Sequence, residues 1–219
     1  MLSSLKSFLS DIKHNLKSVF QRNGLIIKTT TITFFIFLII SIIITIIIFS
    51  FSPELAERLN SLMDSLFNFD NAPEPFTGNF FIFIFLNNTG HFWNPIRMLV
   101  WIPLLGAFLL GFEILLNSGL IGTVSVIAGF EQGLAYPIIG LIPHGIVEIP
   151  AFLFQIICIV IWQTTIIEVI ISKIRHEILE KEKIIQRIKD TIILATISII
   201  LFMIAAAIET YITPYLLGI

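Results

Sequence analysis

The sequence predicts an all-α integral membrane protein, a polytopic bundle of about five transmembrane helices. Hydrophobic residues make up 56% of the 219 residues and the mean hydropathy is +0.97, values typical of a chain whose main solvent is lipid. Charged residues make up only 13% and occur in groups. About five spans of roughly 20 residues nearly fill such a chain, so we expect no sizeable soluble domain.

The amino-terminal part, residues 1–28, is predicted to be a cytoplasmic amphipathic segment, followed by a transmembrane domain over residues 29–219. Apolar residues recur at steps of three and four, at Leu2, Leu5, Leu9, Ile12 and Leu16. This spacing indicates a helix that lies either in the membrane interface or on the protein's own cytoplasmic face. No small-residue cleavage site follows the first apolar run, so we expect the first span to be retained.

The clearest span is residues 31–51, which carry no charge and end before Pro53. Residues 52–79 are rich in acids and are predicted to form an outer loop. Residues 80–86 are apolar but too short to cross a bilayer alone. We interpret them as a re-entrant or interfacial segment.

Later spans are predicted at residues 98–116, 119–130, 149–167 and 191–208. Between them, residues 136–150 contain Pro137, Pro143 and Pro150, which predict a broken helix at membrane depth. Residues 172–190 are strongly charged and are predicted to form a cytoplasmic helix that joins the last two spans.

The basic residues predict the orientation. Five precede the first span, six lie in residues 173–189, and only Arg58 and Arg97 lie elsewhere. The positive-inside rule places both groups in the cytoplasm. We therefore expect a multi-pass protein of the cell membrane with a cytoplasmic amino terminus and an extracytoplasmic carboxyl terminus. Its expected surroundings are the lipid bilayer, and no nucleic-acid partner is expected.

Ionisable side chains expected at membrane depth, within the predicted spans or directly beside them, are the candidates for function, since each is costly in a bilayer without a partner or a wet pocket. They are Glu113, His144, Glu148 and Glu209. His144 and Glu148 are four residues apart and therefore share one helix face. Asn88, at the end of the short apolar segment, is expected either to cap a helix end near the interface or to add a polar group to the same cavity.

Three interpretations of the His144–Glu148 pair stay open: a structural clamp, a transport or ligand site, and a catalytic or metal-binding role. A metal would need further ligands, for which Glu113, Glu209 and His91 are the candidates. The chain has no HExxH motif and no GxSxG elbow. An enzyme is therefore not expected, and the sequence identifies no cofactor.

The run Pro143-His144-Gly145-Ile146-Val147-Glu148 resembles the signature of the SpoIIM-like family, named after stage II sporulation protein M. The resemblance extends to the Phe85-Leu86-Asn87-Asn88 stretch and to Ala205-Ala206-Ala207-Ile208-Glu209, and covers residues 25–215. It implies an all-helical protein with several spans and no assigned reaction. In endospore formers the namesake resembles an engulfment scaffold, a role to which no feature of this chain is tied.

The leading hypothesis is a non-enzymatic membrane protein whose polar intramembrane site binds or passes a small solute, an ion or a lipid headgroup. The predicted site residues are His144, Glu148, Glu113, Glu209 and Asn88. A homodimer is expected, and small residues such as Gly106 and Gly122 favour close helix crossings within the chain or between protomers. The alternative is a membrane scaffold that recruits protein partners through residues 172–190 or 52–79.

Overall fold

The computed structural model describes residues 15–67, 73–178 and 180–218, and these contain helices and no strands. The α-helices are α1 (Gly24–Phe51), α2 (Pro53–Phe67), α3 (Gly78–Asn88), α4 (Leu105–Gln132), α5 (Ala135–Arg175), α6 (Lys181–Ala207) and α7 (Thr213–Leu217). Two 3-10 turns, Gly90–Phe92 and Arg97–Trp101, follow α3, and a π-helical turn, Ile208–Ile212, joins α6 to α7. The predicted all-α class is confirmed for these residues.

Four stretches are long and apolar enough to cross a membrane: Gly24–Phe51, Leu105–Gln132, Ala135–Arg175 and Lys181–Leu217. The last of these combines α6, the π-helical turn and α7. Their outward faces carry exposed apolar side chains, among them Ile36, Ile43 and Phe108. Lipid is the solvent that such faces require, so the chain is a multi-pass membrane protein.

Two of the predicted spans are a single helix. The structure has one continuous helix, α4, over most of residues 98–130, where the sequence predicts spans at 98–116 and 119–130. Asn117 and Ser118, the polar residues between the two predicted spans, donate side-chain hydrogen bonds to the carbonyls one turn earlier. An apolar solvent leaves no other partner for these groups or for the backbone, so the helix continues through them.

The predicted break at residues 136–150 is also corrected. Helix α5 runs for 41 residues with Pro143 and Pro150 inside it. Each proline removes one backbone donor, but lipid offers the backbone no better alternative than the remaining helical hydrogen bonds. His144 and Glu148 still share a helix face, as their spacing predicts.

Residues 172–190 contain two helix ends and a turn instead of one helix. His176 has a left-handed backbone (φ 55°), and the backbone N–H of Glu177 donates to Ser172 O at 2.9 Å. This is the hydrogen-bond pattern of a Schellman motif, which ends α5 before α6 begins at Lys181. The predicted amphipathic segment at residues 2–20 lies mostly outside the described residues, of which 15–22 are helical.

Helices α1 and α4 run parallel. Ser41 Oγ donates to Gly119 O at 3.0 Å, and the Thr45 and Thr123 hydroxyls are 3.3 Å apart one turn further on. Gly122 lies at the crossing: a Cβ there would overlap Ser41 Oγ and press on the Leu38 carbonyl. Only glycine allows this approach of the two helices.

Helices α5 and α6 run antiparallel. Lys183 Nζ lies 2.6 Å from Glu168 Oε1 near one end, Ser198 Oγ donates to Ala151 O at 2.8 Å in the middle, and His144 meets Thr213 near the other end. Arg22 Nη2 lies 2.7 Å from Asp190 Oδ1, which places the start of α1 beside the start of α6. We call the end of the bundle that carries Arg22 and Lys183 the basic end.

Residues 52–104 must therefore return the chain along the bundle, because α1 and α4 both start at the basic end. Asn60 Nδ2 donates to Glu131 Oε1 at 2.7 Å, which holds α2 at the opposite end. From there α3 and the two 3-10 turns run back, so that Val100 O accepts a hydrogen bond from Gln163 near the basic end. The sequence predicts only a re-entrant segment here.

Candidate functional site

A polar cluster lies where α5 meets the π-helical turn after α6. It consists of His144, Glu148 and Glu209, which each offer one ligand atom, and these three atoms lie within 4.8 Å of one another. His144 Nε2 is 3.8 Å from Glu148 Oε2, and the two side chains are 11% and 31% exposed. The cluster is thus partly shielded but not sealed.

The π-helical turn Ile208–Ile212 carries Glu209 at this point. A π turn contains an extra residue, so it changes the direction in which the following side chains point. Pro214 lacks an N–H, which leaves the Thr210 carbonyl without its usual helical donor. The backbone N–H of Phe76 donates to that carbonyl instead, at 3.2 Å, and so ties the segment before α3 to the cluster.

Asn88, the last residue of α3, connects the cluster to the returning segment. Its Nδ2 donates to Glu148 Oε1 at 2.9 Å, and its carbonyl accepts a hydrogen bond from Gln155 Nε2 at 3.3 Å. On the other side, His144 Nδ1 lies 3.3 Å from Thr213 Oγ1. Side chains from two neighbouring helices, α3 and α7, therefore contact the Glu148 carboxylate and the His144 imidazole.

Glu113 belongs to a second polar centre. His91 Nε2 lies at ion-pair distance from Glu113 Oε2, although the orientation is not that of a hydrogen bond. His91 is fully buried, and neither of its ring nitrogens has a hydrogen-bond partner among the described residues. Trp101 Nε1 donates to His91 O at 2.8 Å and holds the backbone of this turn.

Of the five predicted site residues, the structure brings together His144, Glu148, Glu209 and Asn88, and it pairs Glu113 with His91. Thr213 and Gln155 complete the surroundings and escaped the sequence analysis. Gln155 is fully buried, and its Oε1 has no hydrogen-bond partner among the residues that the structure describes. An amide inside an apolar run is the feature by which it could have been found. Thr213 offers no such feature, since threonine is common in membrane helices.

One imidazole and two carboxylates form a donor set that suits a cation. Zn²⁺ and similar divalent ions take histidine nitrogen and carboxylate oxygen together. Two carboxylates this close repel each other unless a proton or a cation lies between them. The same hydrogen bonds also fit a structural clamp, because Asn88 and Thr213 already satisfy part of the cluster.

A family model described as Stage II sporulation protein M matches residues 31–214. The matched range contains both polar centres and all four long apolar stretches apart from their outermost residues. No curated protein and no solved structure matches the chain at a significant level.

Proposed function

The chain belongs to the stage II sporulation protein M family, and we propose that this member binds a cation at His144, Glu148 and Glu209 and passes it along the bundle. The observation that carries the proposal is the convergence of three ligand atoms within 4.8 Å from helices far apart in the chain. Partly shielded carboxylates in a membrane protein are costly, and a bound cation offsets that cost.

The second polar centre supports passage in addition to binding. Asn88 contacts Glu148, and His91 follows only three residues later on the same returning segment. Gln155 also contacts Asn88, and its buried Oε1 has no hydrogen-bond partner in the described part of the chain. Polar groups thus continue from the cluster toward the His91–Glu113 pair, an arrangement typical of proton and ion relays.

The proposed orientation places the basic end in the cytoplasm. The described basic residues Lys173, Arg175, Lys181, Lys183 and Lys189 lie on the ends of α5 and α6 that meet Arg22. Helix α2 and Glu131 then face outward, and residues 76–104 provide a fifth crossing without a long helix. The amino terminus is cytoplasmic, the carboxyl terminus is extracytoplasmic, and the cluster lies in the outer half.

The direct test measures Zn²⁺ and Mn²⁺ binding to the purified protein by calorimetry, and ion or proton flux in proteoliposomes. Glu148→Gln and His144→Ala should abolish both. Glu131→Gln is the matched control, because it removes an exposed carboxylate at the same end of the bundle. If the folded parent protein neither binds nor conducts these cations, the proposal fails.

A scaffold is the second candidate, favoured by the polar face of α2 at the proposed outer end. Glu54 and Arg58 form an exposed ion pair there, and Glu57 is exposed beside them. In that case the His144 cluster is a clamp only. His144→Ala and Glu148→Gln should then lower the melting temperature equally with and without divalent cations.

A further inference from the structure

A cavity of about 380 Å³ lies at the basic end, between the helical residues 15–22 and the start of α6. It is lined by Asn15, Arg22, Gln186, Lys189, Ile192 and Ile193. It lies far from the His144 cluster, since α6 runs from this end toward Thr213 at the other. Its lining combines hydrogen-bond donors with apolar side chains.

Arg22 is fixed in place at the wall of this cavity. Its Nε and Nη2 donate to the two oxygens of Asp190 at 3.0 Å and 2.7 Å, and Asp190 is only 1% exposed. The hydrogen bond to this carboxylate raises the pKa of Arg22 further above its already high ordinary value. Asn23 and Gln186 also donate to Asp190, which holds the whole arrangement rigid.

Lys189 supplies the excess positive charge. Asp190 balances Arg22, whereas Lys189 is exposed and has no ion pair within the described part of the chain. Other basic residues of α6 differ in this respect, since Lys183 and Arg187 both pair with Glu168. Among the described residues, the lining of the cavity therefore carries an excess of positive charge, which favours a negatively charged group.

The apolar side of the cavity is the beginning of the lipid-facing part of α6. Ile192 is 60% exposed one turn beyond the charged residues. Charged residues thus give way to apolar ones along the cavity, an order that suits a phospholipid with its phosphate at the membrane surface. Basic pockets between membrane helices on the cytoplasmic side bind such headgroups.

We propose that this cavity binds the phosphate headgroup of an anionic membrane lipid. Lys189 and Arg22 contact the phosphate, Asn15 and Gln186 contact the remaining headgroup oxygens, and Ile192 and Ile193 contact the first acyl carbons. The proposal is independent of the cation site, because it uses residues at the opposite end of the bundle.

The test uses the full chain purified in a neutral detergent, with native mass spectrometry and thermal unfolding as readouts. Phosphatidylglycerol, phosphatidylcholine and inorganic phosphate are added in separate arms. We expect phosphatidylglycerol alone to remain bound and to raise the melting temperature by several degrees. Lys189→Gln should weaken its apparent affinity about fivefold, the effect of one basic residue near an anionic lipid.

Lys181→Gln is the matched control, because Lys181 is exposed at the start of α6, outside the cavity, and has no described ion pair. Equal stabilisation by phosphatidylcholine overturns the proposal, as does equal weakening by the two lysine variants. If inorganic phosphate reproduces the whole shift, the cavity is a site for free phosphate and the lipid assignment is wrong.

Discussion

At the scale of single residues, Glu148 and Glu209 fit either a structural clamp or a cation site. The two roles predict opposite changes in stability when one carboxylate is neutralised. Both carboxylates lie beside His144, and when both are ionised each charge repels the other. A structural clamp loses stability when either is neutralised. A cation site that is empty gains stability, because one repulsive charge disappears.

Glu209→Gln should therefore raise the stability of the cation-free protein near pH 8, by on the order of 1 kcal/mol. The same variant should lose the stabilisation that added Zn²⁺ gives the parent protein. Thermal unfolding with and without a chelator measures both effects. A lower melting temperature for Glu209→Gln in the chelator would support the clamp, and Glu131→Gln shows the effect of removing a carboxylate outside the cluster.

The His91–Glu113 pair predicts strong coupling between two residues. His91→Leu leaves Glu113 without its partner and should cost about 3 kcal/mol or more, as breaking a buried pair does. The double variant His91→Leu/Glu113→Leu should be more stable than His91→Leu alone, because no charged group is then left unpaired. Chemical unfolding in detergent measures the free energies of unfolding for this double-mutant cycle. The pairing would be contradicted if the effects of the two single variants simply added.

At the scale of elements, the contact between α1 and α4 depends on missing side chains. Gly122 lets Ser41 reach the α4 backbone, and Thr45 repeats the contact one turn later. Such contacts replace the hydrophobic effect, which does not drive helices together within lipid. The parallel direction of the two helices follows from them, and so does the need for a returning segment.

Gly122→Ala should destabilise the protein by about 1–3 kcal/mol, because its Cβ would overlap Ser41 Oγ and push the helices apart. Gly111→Ala is the control on the same helix, since nothing lies within 4 Å of its Cβ position. It should leave stability unchanged or raise it by up to about 1 kcal/mol, because alanine favours a helix more than glycine does. Equal changes in stability for the two variants would show that helix propensity, and not packing at the crossing, determines the effect.

The elements that the sequence predicted well are those with long uniform patterns. The first span, residues 31–51, lies within α1, and the last, residues 191–208, corresponds closely to the apolar part of α6. The errors concentrate where polar residues or prolines interrupt an apolar run. Such interruptions break helices in water, but lipid offers no competing hydrogen bonds, so α4 and α5 continue through them.

At the scale of the whole molecule, the candidate site residues were easier to identify from the sequence than their division between two separate polar centres. The family resemblance and the cost of burying charge indicated His144, Glu148, Glu209 and Asn88. Their proximity depends on the antiparallel contact of α5 and α6 and on the π-helical turn. The pairing of Glu113 with His91 depends on the path of residues 76–104, and no periodic pattern encodes that path.

The proposed orientation predicts which side of the membrane each loop reaches. Leu104 is 77% exposed just before α4, so Leu104→Cys should react with an impermeant maleimide only after the cells are permeabilised. Glu57→Cys on α2 should react in intact cells. The parent protein is the control, since its single cysteine, Cys158, is fully buried. Labelling of Leu104→Cys in intact cells would exclude the fifth crossing.

The short helix and turns of residues 76–104 also bear on how the protein is made. An insertion machinery that selects long apolar stretches takes up α1, α4, α5 and α6 readily, but it finds only a brief apolar run in α3. In the proposed orientation, α4 would then insert in the opposite direction if nothing held residues 76–104. We therefore predict that the growing chain keeps this segment in place until Glu148 and Gln163 of α5 are available to bind it.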